Sequence, residues 1–353
     1  MEKQFMKGNE AIAEAAVRAG CRFFAGYPIS PQNEIPEYMS RRMPEVNGKF
    51  IQGESEIASI YMVFGAACSG TRAMTSSSGP GISLKAEGIS YLAGSSLPAV
   101  IVDVSRTGAG LGHIYPGQND LAFFKSPGHG GFRIMVLAPS TVQEAVDLTY
   151  LAFDLADRDR NPVAVLADGV IGAMMEPVVL PEMNTHFIDK SGWILDGCDG
   201  RERRLVSSTR NTRNDLENFQ KERAVMYQKW QEHDVLVEEY LTEDAEFIIA
   251  AYGTGARIAK TAIKQLREEG IKAGLVRPIT LVPFPFETFK RLTNQSILGV
   301  LVVEMCIPSQ MLADVQLGLA GQVKAYTFGR GGGIILTPAE VVEKVHSILI
   351  KEE

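Results

Sequence analysis

The stretch Lys49-Phe-Ile-Gln-Gly-Glu-Ser-Glu-Ile-Ala58 marks a change from strand to helix. Two apolar residues, Phe50 and Ile51, predict a short strand, and a helix of small residues opens at Ser55. That helix continues as Ile-Ala-Ser-Ile-Tyr-Met-Val-Phe-Gly-Ala-Ala, with no further charge until Arg72, which is typical of a buried helix. Glu56 therefore places a carboxylate at the mouth of an apolar helix.

Two interpretations of Glu56 follow from its position. A buried carboxylate is costly unless it has a partner, and the helix dipole offsets only about 0.3–1 kcal/mol of that cost. The residue could belong to a capping box, since glutamate is common in the first turn of a helix. It could also be a carboxylate held for chemistry. Position alone does not decide between them.

Length and composition bound the class of protein. The chain has 353 residues, which predicts two or three domains. Apolar residues make up 45% and charged residues 22%, as in an ordinary soluble globular protein. The formal net charge of −7 and the absence of a long basic run argue against nucleic acid as a partner.

The cysteines and the N-terminal sequence restrict location and metal content. Cys21, Cys68, Cys198 and Cys306 are scattered and form no CxxC pair. This pattern excludes a self-contained iron–sulfur cluster or cysteine zinc site and predicts free thiols in a reducing compartment. The first ten residues lack the apolar core of a signal peptide, and no run of about 18 apolar residues occurs. We expect a cytoplasmic protein without a membrane span.

Residues 7–182 alternate between strand-like and helix-like segments. Short β-branched runs bounded by turn residues predict strands that are buried on both faces. Such alternation indicates an α/β fold with a doubly wound parallel sheet. Prolines at 28, 31 and 36 are expected to interrupt regular structure. The predicted strands include Phe23–Gly26, Ala99–Val104, Ile134–Ala138 and Val163–Leu166, and the helices include Gly8–Ala19 and Thr141–Leu155.

The composition and the predicted structure change twice in the second half of the chain. Residues 184–245 are charge-rich, with an arginine cluster that we interpret as a solvated or interface surface, and they predict a connecting arm with a long helix over Leu216–Leu241. A second α/β unit begins at Glu246 and ends in a helix whose first turn contains Pro338. Its predicted strands are Phe247–Ala251, Ala273–Val276, Ser296–Val303 and Val323–Phe328, and its predicted helices are Ala256–Glu269 and Ala339–Ile350.

Glycine-rich turns invite nucleotide interpretations that remain weak. Gly253-Thr-Gly255-Ala-Arg257 follows a strand, but the full dinucleotide fingerprint needs an acidic residue after the next strand, where Arg277 stands instead. A tight strand-to-helix turn is the better interpretation. Gly329-Arg330-Gly-Gly-Gly333 could be a flexible loop against a phosphate or a partner.

Two other features are similarly open. Ser76-Ser-Ser-Gly79-Pro-Gly81 offers hydroxyl and N–H groups, so it could bind an anion or form a close strand-to-helix turn. His113 and His129 lie in glycine-rich loops without spaced partners, so we predict no metal site.

Four segments taken together resemble the 2-oxoacid:ferredoxin oxidoreductases, and specifically the α-subunit of the multi-subunit forms. The similarity extends over nearly the whole chain. Its C-terminal segments are most similar to the 2-ketoisovalerate (3-methyl-2-oxobutanoate) branch, with the 2-oxoglutarate branch close behind. The segments are Tyr27-Pro-Ile-Ser30-Pro31, Gln52–Glu56, Thr75–Gly81 and Val104-Ser-Arg106, with Arg277–Pro285 and Gly329–Pro338 nearer the C-terminus.

The resemblance implies two doubly wound parallel-sheet domains around a thiamine diphosphate site. Residues 1–183 would be the pyrimidine-binding domain, residues 184–245 the arm, and residues 246–353 a transketolase C-terminal-like domain. In this family a glutamate hydrogen-bonds the aminopyrimidine nitrogen N1′, and Glu56 matches it better than Glu54. That role requires a carboxyl group able to share a proton near neutral pH, which burial favours.

The same resemblance implies the remaining site residues. Ser30 would contact the substrate through its hydroxyl, and Arg106 would bind the substrate carboxylate, a task suited to the bidentate guanidinium. Glu56 and Arg106 would be catalytic. The other expected cofactor-binding residues are Tyr27, Pro28, Ile29, Ser78 and Gly79.

A missing motif points to partner subunits. Thiamine enzymes hold the diphosphate and Mg²⁺ with a Gly-Asp-Gly followed by an asparagine, and the nearest match here is Ala167-Asp168-Gly169 without that asparagine. The resemblance therefore implies a β subunit that holds the diphosphate end, and γ and δ subunits that carry iron–sulfur clusters. The expected assembly is a dimer of heteromers that is active only when complete.

The implied reaction is the coenzyme A-dependent oxidative decarboxylation of a 2-oxoacid to acyl-CoA and CO₂, with electrons passed to ferredoxin. The substrate could instead be 2-oxoglutarate or pyruvate. Two alternatives from other classes are a non-catalytic scaffold subunit and a nicotinamide-dependent enzyme that uses Gly253 and Gly255.

Overall fold

A computed structural model describes residues 3–352, with side chains described to residue 350. Its strands are β1 (Lys3–Lys7), β2 (Phe23–Gly26), β3 (Lys49–Gln52), β4 (Ala73–Ser77), β5 (Ala99–Ser105), β6 (Met135–Leu137), β7 (Pro162–Asp168), β8 (Met175–Val179), β9 (Val237–Tyr240), β10 (Phe247–Ala251), β11 (Ala273–Pro278), β12 (Thr280–Val282), β13 (Gly299–Glu304) and β14 (Ala325–Gly329). Its helices are α1 (Gly8–Arg18), α2 (Glu34–Glu45), α3 (Glu56–Cys68), α4 (Pro80–Leu84), α5 (Ala86–Gly94), α6 (Leu121–Lys125), α7 (Val142–Asp159), α8 (Gly169–Ala173), α9 (Arg213–His233), α10 (Gly253–Glu268), α11 (Phe286–Leu292), α12 (Leu312–Leu319) and α13 (Pro338–Glu352).

The first sheet has the strand order β12-β6-β7-β5-β4-β2-β3. Its strands are parallel except β12, which pairs antiparallel with β6 at the edge. Strand β5 shows why the sheet is buried on both faces. Val100 and Val102 belong to one apolar cluster with helices α1 and α7, while Ile101 belongs to another with α3 and α5. This confirms the doubly wound α/β fold.

The second sheet has the order β14-β13-β10-β11-β9 and is parallel except for the edge strand β9. Helices α10 and α13 cover one face. The apolar cluster on its other face contains residues of both sheets, Val300 of the second and Ile101 of the first among them, so the two sheets share a core. Strand β12 reinforces this connection, since it follows β11 in sequence but pairs in the first sheet. The predicted boundaries at 183 and 245 stay a prediction.

The arm contains the predicted long helix with different limits. Helix α9 starts at Arg213, where Thr212 and Asp215 form a capping box, and it ends at His233. The sequence predicted a helix to Leu241, but residues 237–240 form β9 instead. Part of the arginine cluster fixes the arm, because Arg210 donates to the carbonyl of Gly94 at 2.9 Å and stacks on Phe219.

Two further findings concern proline and membranes. Pro36 does not interrupt regular structure as expected, because it lies in the first turn of α2, where no intrahelical partner for its missing N–H is needed. Across residues 3–352, no helix combines the length and the apolar composition that crossing a bilayer would require.

Candidate active site

The candidate residues gather at one edge of the first sheet. Strands β5, β4, β2 and β3 are neighbours, and the segments that follow their carboxyl ends carry the residues that the sequence singled out. In open parallel sheets this edge is where ligands bind. The segments contain Arg106 after β5, Ser78 and Gly79 after β4, Tyr27 to Ser30 after β2, and Glu56 after β3.

Helix α3 does not use Glu56 as a capping residue. Ser55 is the N-cap, and its hydroxyl accepts the backbone N–H of Ala58 at 3.1 Å. A capping box needs the acidic residue at the third helical position, which Ala58 occupies, whereas Glu56 is the first helical residue. The capping-box interpretation is therefore wrong, and the carboxylate of Glu56 is left for another purpose.

Glu56 is nearly buried and lacks a hydrogen-bond partner for its carboxylate within the described residues. It is 6% exposed, while the neighbouring Glu54 is exposed. The carboxylate lies over Gly81, where an added Cβ would stand 2.6 Å from Glu56 Oε1 and 2.2 Å from Ser77 Oγ. The buried hydroxyl of Ser77 also lacks a partner. A donor supplied by a ligand would offset the cost of burying these groups.

A lysine that the sequence reading missed stands beside Glu56. Lys85 is fully buried, and its ammonium donates to the backbone carbonyl of Glu56 at 3.3 Å and to Thr75 Oγ1 at 3.0 Å. Burial lowers the pKa of Lys85 to about 7, although the nearby charge of Glu56 opposes this shift. The only sequence signal was a lysine within the otherwise apolar and small-residue segment that leads into α5.

Arg106 and Ser30 meet at the other side of the site. Arg106 is 5% exposed and donates through Nη1 to the carbonyl of Ser30 at 3.0 Å and through Nη2 to that of Leu111 at 2.9 Å. Its Nε–H is buried without a partner, close to Gly79. Of the five N–H donors of a guanidinium, two are thus used by the fold. The Ser30 hydroxyl accepts the side-chain amide of Asn33 at 3.3 Å.

The segment from Ser76 to Gly81 is a close turn rather than an anion site. The N–H of Gly79 donates to Asp120, that of Gly81 to the carbonyl of Ser78, and that of Ile82 to the carbonyl of Gly79. The hydroxyl of Ser78 donates to the carbonyl of Val104 at 2.8 Å. These groups are used by the fold, so a role for Ser78 and Gly79 toward a cofactor would involve main-chain surface and stays a prediction.

The donor set fits one end of thiamine diphosphate. A nearly buried, unpartnered carboxylate suits a protonated ring nitrogen of an aminopyrimidine. The diphosphate end has no comparable site in the described chain. Asp168 accepts from the N–H groups of Val170, Ile171 and Thr254, and no group of His, Cys, Asp or Glu within residues 3–352 could hold a metal ion.

The nucleotide interpretation of Gly253 and Gly255 loses its basis. The position where a phosphate would lie against the start of α10 is filled by Asp168, whose carboxylate accepts from the N–H and the hydroxyl of Thr254 at 2.8 and 2.7 Å. Arg257 donates to Glu176 at 2.8 Å and to the carbonyl of Ser140. The turn is structural.

Exposed apolar side chains surround Glu56. Ile57 and Tyr61 lie one turn apart on α3, Ile51 lies on β3, and Leu84 ends α4; Ile57 is 46% and Leu84 49% exposed. Tyr27, at the start of the next segment, is also exposed. Exposed apolar groups in one area, around a polar centre, are typical of a protein–protein contact.

Comparison with known proteins defines the class. Residues 14–193 match the family described as "Pyruvate flavodoxin/ferredoxin oxidoreductase, thiamine diP-bdg", and residues 245–341 match "Pyruvate:ferredoxin oxidoreductase core domain II". The chain belongs to this family of 2-oxoacid:ferredoxin oxidoreductases, as the resemblance predicted. It is an oxidoreductase subunit, and residues 14–193 correspond to the family's thiamine-diphosphate-binding domain.

Two relatives illustrate the range within the family. The chain is 46% identical over 349 residues to the ketoisovalerate oxidoreductase subunit VorB of Methanothermobacter thermautotrophicus, covering 99% of this chain and 98% of the relative. It is 36% identical over 387 residues to the 2-oxoglutarate synthase subunit KorA of Methanocaldococcus jannaschii, covering 98% of this chain and all of the relative. Both are subunits of larger enzymes.

A solved structure shares the fold. The 2-oxoglutarate:ferredoxin oxidoreductase from Magnetococcus marinus, determined with 2-oxoglutarate, coenzyme A and succinyl-CoA bound, superposes with a TM-score of 0.87 at 24% identity. The superposition covers 99% of this chain but 65% of that one, so this chain corresponds to about two thirds of the longer polypeptide.

Proposed function

We propose that this chain is the α-subunit of a 2-oxoacid:ferredoxin oxidoreductase that oxidises branched-chain 2-oxoacids, with 3-methyl-2-oxobutanoate as the preferred substrate. Coenzyme A would accept the acyl group and ferredoxin the electrons. The observation that carries the proposal is the unpartnered carboxylate of Glu56 at the carboxyl edge of the sheet. When bound, thiamine diphosphate would supply the carbon nucleophile for decarboxylation.

Glu56 would bind the aminopyrimidine ring through N1′ and hold a proton there. A carboxylate without donors in the folded chain has both oxygens available for such a bond, and a shielded position strengthens it. Gly81 leaves the room that the carboxylate occupies. Tyr27, Pro28 and Ile29, which follow β2, would line the ring.

Arg106 and Ser30 would orient the substrate. The guanidinium keeps donors in reserve after bonding two backbone carbonyls, and they can meet a 2-oxoacid carboxylate in a charge-assisted bond. The hydroxyl of Ser30 would contact the same substrate. Because the two residues are tied by the Nη1-to-carbonyl bond, the substrate contacts would form as one unit.

A partner subunit would complete the site. The described chain has no group for the diphosphate or for Mg²⁺, and apolar side chains surround Glu56. A β subunit that covers this rim would bring the diphosphate-binding residues and exclude water from Glu56. Further γ and δ subunits would carry the iron–sulfur clusters, since the cysteines here are scattered and free.

The substrate preference rests on the relatives. The sequence identity is 46% to the VorB subunit and 36% to the KorA subunit, in both cases over nearly the whole chain. Kinetics of the reconstituted complex with 3-methyl-2-oxobutanoate, 2-oxoglutarate and pyruvate, with coenzyme A and a viologen acceptor, would test it. We expect the highest kcat/KM for the branched-chain acid. A higher value for 2-oxoglutarate would contradict the substrate assignment but leave the enzyme class intact.

Glu56→Gln in the reconstituted complex tests the catalytic assignment, with Glu54→Gln as the matched control. Glutamine keeps the size but cannot hold the proton, so we expect turnover to fall about 10²–10⁴-fold. The control changes an exposed carboxylate two residues away and should leave the rate within about threefold. Size-exclusion chromatography would verify assembly of both. Near-normal turnover of an assembled Glu56→Gln complex would overturn the assignment and favour a scaffold subunit.

A further inference from the structure

A cavity lined by arginine and serine lies at the opposite edge of the first sheet from the candidate active site. Ser95 and Ser96 precede β5 and Arg160 precedes β7, so they lie at the amino edge of these two paired, parallel strands. Arg204 and Arg210 of the arm line the cavity from the other side. None of its lining residues in the described chain is acidic, and its volume is about 360 Å³. We call this cavity the arginine pocket.

The arginine pocket is separate from the candidate active site. Ser96 precedes β5, whereas Arg106 follows the carboxyl end of the same strand. The seven residues of β5 rise roughly 3.3 Å each, which places about 20 Å between its two ends. Neither Arg106 nor Glu56 lines the pocket. A molecule bound here would therefore be neither the 2-oxoacid nor the aminopyrimidine ring.

The guanidinium groups of the pocket are oriented by backbone carbonyls, which use few of their donors. Arg160 donates through Nε to the carbonyl of Ser96 at 3.1 Å. Arg204 donates through Nη1 to the carbonyl of Ile194 at 3.0 Å. Since a guanidinium has five N–H groups, both arginines keep donors for a ligand.

Carboxylates compensate this positive charge incompletely. Asp196 lies 3.6 Å from Arg204, which is longer than a hydrogen bond, and it accepts from Arg201 instead. Arg160 forms no ion pair within the described residues, and its guanidinium lies 4.4 Å from the ring centroid of Trp193. The pocket consequently has an excess of positive charge, which favours an anionic ligand.

A fourth guanidinium borders the pocket. Arg223 on α9 donates through Nη2 to Ser96 Oγ at 2.6 Å, and its Nε–H is buried without a partner in the described chain. Burial lowers the pKa of Arg160, and the charge of Arg223 adds to that shift. An anion in the pocket would offset this repulsion between like charges.

The hydroxyl of Ser95 also lacks a partner. Ser95 is 6% exposed, and its Oγ is buried without a hydrogen bond in the part of the chain that the structure describes. A buried hydroxyl in this state is costly unless a ligand or water satisfies it. Ser96 and Arg160 both have positive φ, a conformation that L-residues rarely adopt outside functional or tightly constrained sites.

We propose that the arginine pocket binds the phosphoryl group of a small organic phosphate, with Arg160, Arg204 and Ser95 as its donors. Arginine forks match phosphate oxygens and bind them through charge-assisted hydrogen bonds. The volume of about 360 Å³ is that of a small-molecule site and leaves room beyond the phosphoryl group, against Trp193 and Leu205. A bound ligand joins the arm to the first sheet. The inference does not depend on the proposed function, since the two sites share no residue.

Calorimetric titration of the full chain with AMP, inorganic phosphate and adenosine tests the proposal. AMP combines a phosphate monoester with an aromatic ring, and each of the other two probes has one of these parts. We expect saturable binding of AMP, binding of inorganic phosphate that is at least about tenfold weaker, and no binding of adenosine. Equal affinity for AMP and phosphate would reject the organic part of the ligand. No saturable binding of either phosphate probe would overturn the inference.

Variants of the pocket show whether binding uses these residues. Arg204→Met should weaken AMP binding at least about tenfold, and Ser95→Ala, which removes only the hydroxyl, about three- to tenfold. Arg203→Met is the matched control, because it removes the same charge from an exposed neighbour that does not line the pocket. AMP should raise the melting temperature of the wild type and of this control, but not that of Arg204→Met. Equal losses of affinity in Arg204→Met and Arg203→Met would indicate non-specific attraction and overturn the inference.

Titration of the reconstituted complex with AMP shows whether the pocket stays accessible after assembly. We expect the same Kd as in the full chain, because the pocket lies at the edge opposite to the rim around Glu56. Loss of AMP binding on assembly would mean that a partner subunit covers the pocket. That result would overturn the assignment of a ligand site in the enzyme.

Discussion

The carboxyl edges of the two sheets differ in how their polar groups are satisfied. At the second sheet, Glu304 accepts from the hydroxyl of Ser309 and the backbone N–H groups of Gln310 and Met311. Arg277 is paired with two glutamates, and the start of α10 is filled by Asp168. At the first sheet, the Nε–H of Arg106 is buried without a partner, and the nearly buried carboxylate of Glu56 accepts no hydrogen bond within the described chain. The first edge keeps its polar groups available.

The difference shows that a familiar sequence motif and a set of polar groups free to bind a ligand need not occur at the same place. Gly253-Thr-Gly255 has the more familiar appearance, yet the fold itself occupies its helix end. Glu56 is part of no familiar motif, and the burial of its carboxylate costs free energy that no hydrogen bond of the described chain offsets. Unsatisfied burial concentrated at one edge is what a binding site requires and what a structural edge avoids.

Arg277→Leu is expected to have the largest effect on stability and to leave the site intact. Arg277 is buried and bonds Glu144 and Glu238 at 2.7 and 2.6 Å. Its removal takes the one buried cation away from two partly buried carboxylates, leaving Glu238 with Lys260 and Glu144 with the donors of Ser140, and should cost about 3 kcal/mol. Arg291→Leu, which breaks an exposed pair with Glu239, should cost less than about 1 kcal/mol. Chemical denaturation would measure both, and a changed KM in Arg277→Leu would contradict the comparison.

The cost of Arg277→Leu should depend on pH. Burial raises the pKa of Glu144, but the charge of Arg277 and the donors around it outweigh burial and lower the pKa overall; Glu238 behaves likewise. A lowered pKa contributes stability above the unfolded value of about 4.3 that is lost as pH falls. The difference between variant and wild type should therefore be largest near neutral pH and shrink in acid. A constant difference would contradict the ion-pair account.

Lys85→Met should stabilise the protein by about 2 kcal/mol at pH 6. The folded pKa of Lys85 is about 7, lowered mainly by burial, so below pH 7 the fold carries a buried ammonium. This penalty declines as pH rises from 7 toward the unfolded value of about 10.4, and the gain should decline with it. Lys290→Met, at an exposed position, should change little. A Lys85→Met protein less stable than the wild type at pH 6 would contradict this.

Gly81→Ala should lower kcat at least about tenfold by displacing the carboxylate of Glu56. The added Cβ would meet Glu56 Oε1 and Ser77 Oγ at distances that require one of them to move. Gly65→Ala is the control, because nothing lies within 4 Å of a Cβ at that position in α3. Steady-state kinetics of both complexes would measure the effect. Equal kcat values would mean that turnover does not require the carboxylate of Glu56 at its position over Gly81.

Arg257→Ala should have the smallest effect. Its partly exposed pair with Glu176 is worth less than about 1 kcal/mol. Titration with NADP(H) should show no saturable binding before or after the change. Saturable binding that Arg257→Ala abolishes would revive the nucleotide interpretation of the second sheet.

The fold class and the family could be predicted from the sequence because buried strands and the helices between them leave long-range patterns. Strand β5 begins with the apolar run Ala99–Val102, which is buried on both faces, and such a run is a clear strand signal. The edge strands β9 and β12 could not be predicted, because three or four residues carry no clear period and their partners are distant in sequence.

The candidate site was partly predictable for a related reason. Glu56, Ser30 and Arg106 lie within recognisable segments, while their roles stay predictions. The buried Lys85 was not predicted. Its significance comes from the carbonyl of Glu56, which the fold places against its ammonium, and no local pattern encodes such a contact.

The most direct test of the central claim is a structure of the reconstituted complex with thiamine diphosphate bound. The quantity to measure is the distance from the carboxylate of Glu56 to N1′ of the aminopyrimidine ring. We predict a hydrogen-bond distance of about 2.6–3.2 Å, with the diphosphate held by a different subunit. A ring bound elsewhere, or a diphosphate held by residues of this chain, would contradict the account.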